Sequence, residues 1–399
     1  MDTTGFRRSG HLPSLVAALL HFDVSFMCWV LLGALGAYVA SDLALTPAQK
    51  GLMVAVPPLG GAAFRLLLGS LVDRVGVRRT GLVTMGLTFV PLAWGWLAGG
   101  TYAQVLGIGL LLGVAGASFA VALPLASRWY PPEHQGLALG IAGAGNSGTI
   151  VAALAAPRLA EHVGWHGVFG LAAVPVAVTW VAFALLAKEP PAPAGAAVAP
   201  RRLRSLLDEP DARWLCGFYL VTFGGFVGLT GYLPIFFVDR FGLAKVSAAG
   251  YAALCAASGS LLRPLGGVVA DRLGGTRVLT GVLVAATALA LSLASLPALG
   301  VTVVLLLALL GAFGIGNGAI FQLVPQRFPG RMGAMTGLVG AAGGVGGFLL
   351  PFALGSLEGA TGSFAAGFAA LAATTAAAST CVTRRQRAWR EAWDLEVAV

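Results

Sequence analysis

Phe64-Arg65-Leu66-Leu67-Leu68-Gly69-Ser70-Leu71-Val72-Asp73-Arg74-Val75-Gly76-Val77-Arg78-Arg79 is an apolar run broken by one arginine and closed by a charged turn. It recurs 198 residues later as Leu262-Arg263-Pro264-Leu265-Gly266-Gly267-Val268-Val269-Ala270-Asp271-Arg272-Leu273-Gly274-Gly275-Thr276-Arg277. In each copy an arginine stands eight residues before the Asp that marks the end of its helix. At about 1.5 Å per residue that is roughly 12 Å, close to half of a hydrocarbon layer about 30 Å thick. The pattern predicts two guanidinium groups, one per half of the chain, near the middle of a membrane.

Composition agrees with a membrane reading. Of 399 residues 57% are hydrophobic and only 10% charged, far below the roughly one quarter charged in soluble domains. Apolar runs of about 20 residues recur along the chain, which predicts an all-α integral membrane protein. The 57 glycines suit close helix packing in lipid. Cys28, Cys216, Cys255 and Cys381 have no CxxC spacing and read as small core residues, with no metal site implied. No cleavable signal peptide is expected, because the first apolar run is long and continues into the repeat.

Twelve spans are predicted, at about 12–40, 51–71, 80–98, 103–126, 136–157, 165–187, 213–237, 247–270, 277–297, 300–324, 333–356 and 361–383. With both termini cytoplasmic, nineteen Lys and Arg residues fall in inner segments and four in outer loops: Lys50, Arg158, Arg240 and Lys245. The remaining two of 25 are Arg65 and Arg263. This asymmetry predicts the orientation, and it accounts for the +9 net charge without a nucleic-acid partner. The halves are residues 1–188 and 213–383, joined by a Pro/Ala-rich cytoplasmic linker at 189–212 that contains Arg201-Arg202-Leu203-Arg204, and followed by a basic tail at 384–399. Gly136-x-x-x-Gly140-x-x-Gly143 in span five is matched by Gly333-x-x-x-Gly337-x-x-Gly340 in span eleven. Two six-helix halves around a midplane site is a secondary-transporter plan.

Gly69-x-x-x-Asp73-Arg74-x-Gly76-x-Arg78-Arg79 resembles the loop signature of the major facilitator superfamily, in its proper place between spans two and three. Four further features narrow the resemblance: His21-Phe22-Asp23-Val24-Ser25-Phe26-Met27-Cys28-Trp29, the arginines of spans two and eight, Ala142-Gly143-Ala144-Gly145-Asn146-Ser147-Gly148, and Gly340-Ala341-Ala342-Gly343-Gly344-Val345-Gly346-Gly347-Phe348. Together they resemble the bacterial nitrate/nitrite porter family (NarK/NasA-like) over essentially the whole chain. The resemblance implies anion binding by Arg65 and Arg263 with an amide from Asn146. It implies signature glycines at Gly143, Gly145, Gly148, Gly340, Gly343 and Gly346, and pocket aromatics at Phe119, Tyr219 and Phe223. Span eleven has Gly343 where span five has Asn146, so an asymmetric pocket is expected.

The residues themselves support part of this. Charge inside a membrane helix is costly and usually marks function, and arginine's planar fork suits a planar oxyanion. The bland alternative is pairing with a carboxylate, but of sixteen acids only Asp23 lies well inside a predicted span. Phosphate is the nearest rival, yet no lysine accompanies the arginines. Chemistry alone therefore gives a small monoanion; nitrate and nitrite come from the resemblance. Asp23 is the candidate proton-coupling residue, weighed against an acid that caps helix ends near the interface. A lone His21 at an interface reads as a hydrogen-bonded structural residue. Asp73-Arg74 and Asp271-Arg272 are expected to latch the inner ends of the halves when the site faces outward, the alternative being positive-inside anchoring. Arg384-Arg385-Gln386-Arg387-Ala388-Trp389-Arg390 is expected to anchor to anionic lipid headgroups.

The expected protein is a monomeric carrier of the bacterial inner membrane, moving nitrate or nitrite by alternating access as a proton symporter, with nitrate/nitrite antiport as the alternative. No cofactor is expected. The five histidines are scattered and no nucleophile triad appears, which argues against an enzyme. A sensor would need an output domain that neither linker nor tail could hold.

Overall fold

A computed structural model describes residues 9–190, 206–328 and 332–392; the side chains at positions 70, 73, 132, 133, 332, 387, 388 and 390–392 lie outside that description. Eleven helical runs are long and apolar enough to cross a membrane, and no strand occurs among the described residues. One run, Leu137–Leu186, is broken at Gly164 (φ 70°, ψ 165°) and so supplies two spans, which gives the twelve. Large apolar side chains such as Leu97, Leu185 and Leu261 face outward, 73%, 78% and 72% exposed, as a lipid-facing belt requires.

The repeat is present in the backbone. Span two (Pro47–Val75) and span eight (Lys245–Leu273) each run 29 residues. They stop at Gly76 and Gly274, whose φ angles of 100° and 87° a side chain would strain. Arg65 and Arg263 both lie ten residues before the last helical residue, about 15 Å from that end.

Three spans expected to be continuous are interrupted. Span one is Leu12–Trp29, Leu31–Ala34 and Gly36–Asp42; span four is Tyr102–Gly116 and Phe119–Ser127. Span five runs Pro132–Gly143, tightens into a 3-10 turn over Ala144–Ser147, and resumes at Gly148. The breaks in spans four and five follow Gly116 and Gly143, and the second break in span one precedes Gly36; a helix loses about 1 kcal/mol at glycine relative to alanine. The first break in span one, at Val30, has no glycine beside it.

The halves meet on the face opposite the arginine-rich loops. There Gly33 lies against Gly231, and Gly51 against Pro351 and Gly355, with no room for a methyl group between them. Lys50 pairs with Asp239 at 2.6 Å, and the Lys245 ammonium sits 4.7 Å from the Tyr38 ring centre. Span two and span eleven (Met332–Thr361) stay in contact through Pro58, Ala62, Gly344 and Gly347 as far as Arg65 and Gly340. Nearer the arginine-rich loops a Cβ on Gly69 or Gly337 would touch nothing. The close contacts between the halves gather on the opposite face.

The linker's residues 191–205, with Arg201, Arg202 and Arg204, lie outside the described residues. Glu189, placed by sequence at the linker's first position, belongs to the first half: its carboxylate accepts the backbone N–H of Val77 at 2.7 Å and of Arg78 at 3.0 Å, capping span three. The tail reading needs a larger correction. The last helix is Ala365–Ala392, well past the expected end at 383. Trp389 is 2% exposed and donates its indole N–H to Asp211 Oδ1 at 2.8 Å, while Arg327 Nε donates to Oδ2 at 2.6 Å. An indole N–H prefers a carboxylate partner to an apolar cover, so Trp389 braces spans seven and ten instead of anchoring in lipid. His21, expected to be hydrogen-bonded near the interface, is fully buried against Phe183, with ring centres 5.0 Å apart.

Candidate functional site

Arg65 is 3% exposed and holds two helices of different halves. Its Nε donates to the Gly116 carbonyl at 3.1 Å and its Nη1 to the Gly340 carbonyl at 2.6 Å. The first acceptor exists because span four breaks. Ala120 N bonds to Ala117 O, which leaves Gly116 O without its helical donor. Trp29 packs on Gly116, where a side chain would collide with the indole, and donates its own N–H to Pro57 O at 2.9 Å.

Aromatic faces complete the surroundings. Arg65 Cζ lies 5.2 Å from the Trp29 ring and 5.3 Å from the Phe223 ring. Arg263 Cζ lies 5.9 Å from the same Phe223 ring and 5.4 Å from Phe321, and its Nη2 donates to the Tyr219 hydroxyl at 3.3 Å. One phenyl ring therefore serves both cations. Tyr219 stacks on Phe223 at 4.8 Å and 8°. Phe321 stands edge-on to Tyr219 at 5.2 Å and reaches Phe119 across the halves at 5.9 Å. Among the described residues neither arginine has a carboxylate partner.

A charge at mid-membrane costs about 2.5–3.5 kcal/mol on insertion scales. Carbonyl and hydroxyl acceptors disperse it, and each ring face contributes about 0.5–2 kcal/mol. None of these partners removes the net positive charge. Two guanidinium groups set among aromatic rings have the chemistry to hold a small anion.

The other expected residues divide. Asn146 is 3% exposed in the 3-10 turn of span five, and its Oδ1 has no hydrogen-bond partner among the described residues. That turn packs against span eight, the helix of Arg263. Asp23 Oδ1 accepts the Ser147 hydroxyl at 2.5 Å, and Gly148 fits directly against the Asp23 carbonyl. Asp23 is thus tied to the break in span five, at the start of the helix that resumes with Gly148, where a carboxylate also acts as a helix-end cap. Gly343 is what lets Tyr219 and Phe223 lie flat on span eleven, and Gly346 meets the Leu220 carbonyl. Gly145 abuts Phe22 and Gly340 the Arg65 side chain, whereas Gly143 faces open space and closes no contact. Arg74, Asp271 and Arg272 are exposed, and the side chain of Asp73 lies outside the described residues.

Sequence reasoning missed Trp29, Phe321, Gly116 and Glu189. Trp29 ends the quoted His21-to-Trp29 segment, and that was a usable signal. Phe321 and Gly116 O gain their roles from helix rotation and a helix break, which no spacing announces.

The model of the Major Facilitator Superfamily matches residues 17–351. The "Nitrite extrusion protein" of Bacillus subtilis is 35% identical over 352 residues, covering 88% of this chain and 89% of that one. The "Probable nitrate/nitrite transporter NarK2" of Mycobacterium tuberculosis is 34% identical, covering 87% and 89%. A "Probable nitrate/nitrite antiporter NarK1" of Thermus thermophilus is 32% identical, covering 86% and 84%. Among solved structures, a D-xylose-proton symporter superposes with a TM-score of 0.72 at 16% identity, covering 93% of this chain and 96% of that one. An inward-facing bacterial homologue of the lysosomal transporter Spinster gives 0.70 at 18%, with the same coverage. The fold is theirs, and the sequence relationship is closer still: the chain belongs to the major facilitator superfamily and, within it, to the family of bacterial nitrate/nitrite porters.

Proposed function

We propose that this protein is a carrier, not an enzyme, that moves nitrate and nitrite across the bacterial inner membrane by alternating access, working as a monomer with its arginine-rich face in the cytoplasm. The observation that carries the reading is the pair of arginines sharing one phenyl ring, with no carboxylate beside either among the described residues. The names of the relatives supply the anion. An anion entering between the halves takes the guanidinium donors, and its charge lowers the cost of closing the site away from water. Gly340 and Gly116 release Arg65 as it turns to the anion. The halves then pivot about the glycine contacts of spans two and eleven.

Proton symport is the first coupling scheme, with Asp23 as the acid. Its carboxylate, held by Ser147 in the turn that also carries Asn146, puts a titratable group one residue from the candidate amide. Nitrate/nitrite exchange is the second, supported by the Thermus relative's name. The test is nitrate uptake into proteoliposomes under an imposed pH gradient, with and without internal nitrite. Gradient-driven uptake into empty vesicles, abolished by Asp23→Asn, is the expected result. Uptake that needs internal nitrite and ignores the gradient makes the protein an exchanger. No uptake under either condition removes the substrate assignment.

A further inference from the structure

At the arginine-rich face, outside the anion site, a concavity of about 700 Å³ opens between the turn joining spans two and three and the end of span six. Its floor is cross-tied. The Glu189 carboxylate is committed to the N–H groups of Val77 and Arg78. Arg78 reaches back with Nε to Ala187 O at 2.8 Å and with Nη2 to Ala184 O at 2.7 Å. The Lys188 backbone N–H is held by the Ser14 hydroxyl at 3.0 Å. On this fixed frame Arg74, Arg79 and Lys188 line the concavity with exposed cationic heads. Leu185 and Val75, 78% and 42% exposed, share the lining. A site lined by three cations and bare aliphatic surface fits an anion that carries hydrocarbon.

We infer that this concavity is a binding site for an anionic phospholipid, the phosphodiester lying among Arg74, Arg79 and Lys188 and an acyl chain running along Leu185. Juxtamembrane basic clusters recognise such headgroups through summed charge. Here the cross-ties also fix the backbone segments that carry them, so the site selects headgroup charge at one place on the surface. The inference is independent of the transported anion.

Native mass spectrometry of the purified full-length protein tests it, with dioleoylphosphatidylglycerol, dioleoylphosphatidylcholine and soluble glycerol 3-phosphate as probes. The wild type is expected to retain phosphatidylglycerol about tenfold more strongly than phosphatidylcholine. Arg79→Gln with Lys188→Gln removes that preference, and Arg79→Lys with Lys188→Arg keeps it. Arg277→Gln with Arg384→Gln, which removes the same charge from the other half, also keeps it. Each single Gln variant gives a partial loss, so the inference stays testable if the double variant folds poorly. Equal retention of the two lipids overturns the inference. So does an equal loss in the Arg277/Arg384 control, which would mean general surface charge. Displacement of phosphatidylglycerol by millimolar glycerol 3-phosphate also overturns it, because the site would then recognise a soluble phosphate.

Discussion

A guanidinium at position 65 offers nitrogen donors at fixed separation, and here two of them reach carbonyls on two helices from different halves, Gly116 and Gly340. An ammonium is a single point with the wrong reach. Arg65→Lys is therefore expected to raise the nitrate KM by about ten- to a hundredfold, as follows from losing about 1.5–3 kcal/mol of charge-assisted hydrogen bonding. Proteoliposome uptake measures this directly, and an unchanged KM would sink the two-donor role. Arg263 has a single hydroxyl partner and more exposure, so Arg263→Lys should cost less in stability and comparably in KM. These two residues were legible in sequence because intramembrane charge is rare and its depth can be counted from the helix end. Trp29, Phe321 and the Gly116 carbonyl were not. Their contribution depends on which way a helix is rotated and where its hydrogen-bond ladder is interrupted.

Helix contacts here depend on the absence of single methyl groups. Gly346 lies so close to Leu220 O that an added Cβ must displace a helix, whereas Gly143 would accept one freely. Gly346→Ala is expected to lower stability by about 1–3 kcal/mol, the range for overpacking, and to reduce the uptake rate. Gly143→Ala should leave thermal unfolding in detergent unchanged. Equal effects at the two positions would show that the glycine pattern does not act through close approach. The sequence placed both glycines in one signature and could not separate them, since partner helices are invisible to it. The tail illustrates the same limit. A basic stretch with a tryptophan reads as a lipid anchor by composition, yet Trp389 closes on Asp211, a residue 178 positions away. The repeat, by contrast, was readable as two Asp-Arg-x-Gly turns, and the structure adds the positive φ at Gly76 and Gly274 that explains why both turns end in glycine.

Over the whole molecule, the face opposite the arginine-rich loops is closed by Lys50–Asp239, by Lys245 over Tyr38 and by glycine contacts, while Gly69 and Gly337, past Arg65 on spans two and eleven, face free space. The Lys50–Asp239 pair joins the start of span two to the end of span seven, so it can form only when those ends of the halves are together. Removing it must act on that state alone. A partly exposed ion pair contributes about 0–1 kcal/mol, and the upper end of that range shifts a two-state ratio about fivefold. Spin labels at Gly69 and Gly337, positions with free space in this conformation, report the gap between spans two and eleven on the arginine-rich side. Cys28, Cys216 and Cys255 are buried, so only Cys381 needs replacement before labelling. In Asp239→Asn the short-distance population should grow at the expense of the long one. Lys50→Gln should do the same, and the double variant should add nothing, because either single change already dissolves the pair. Additive effects would mean that the two residues bias the conformations through separate contacts, and that the outer closure rests on packing at Gly33–Gly231 and Gly51–Gly355 instead of on this charge pair.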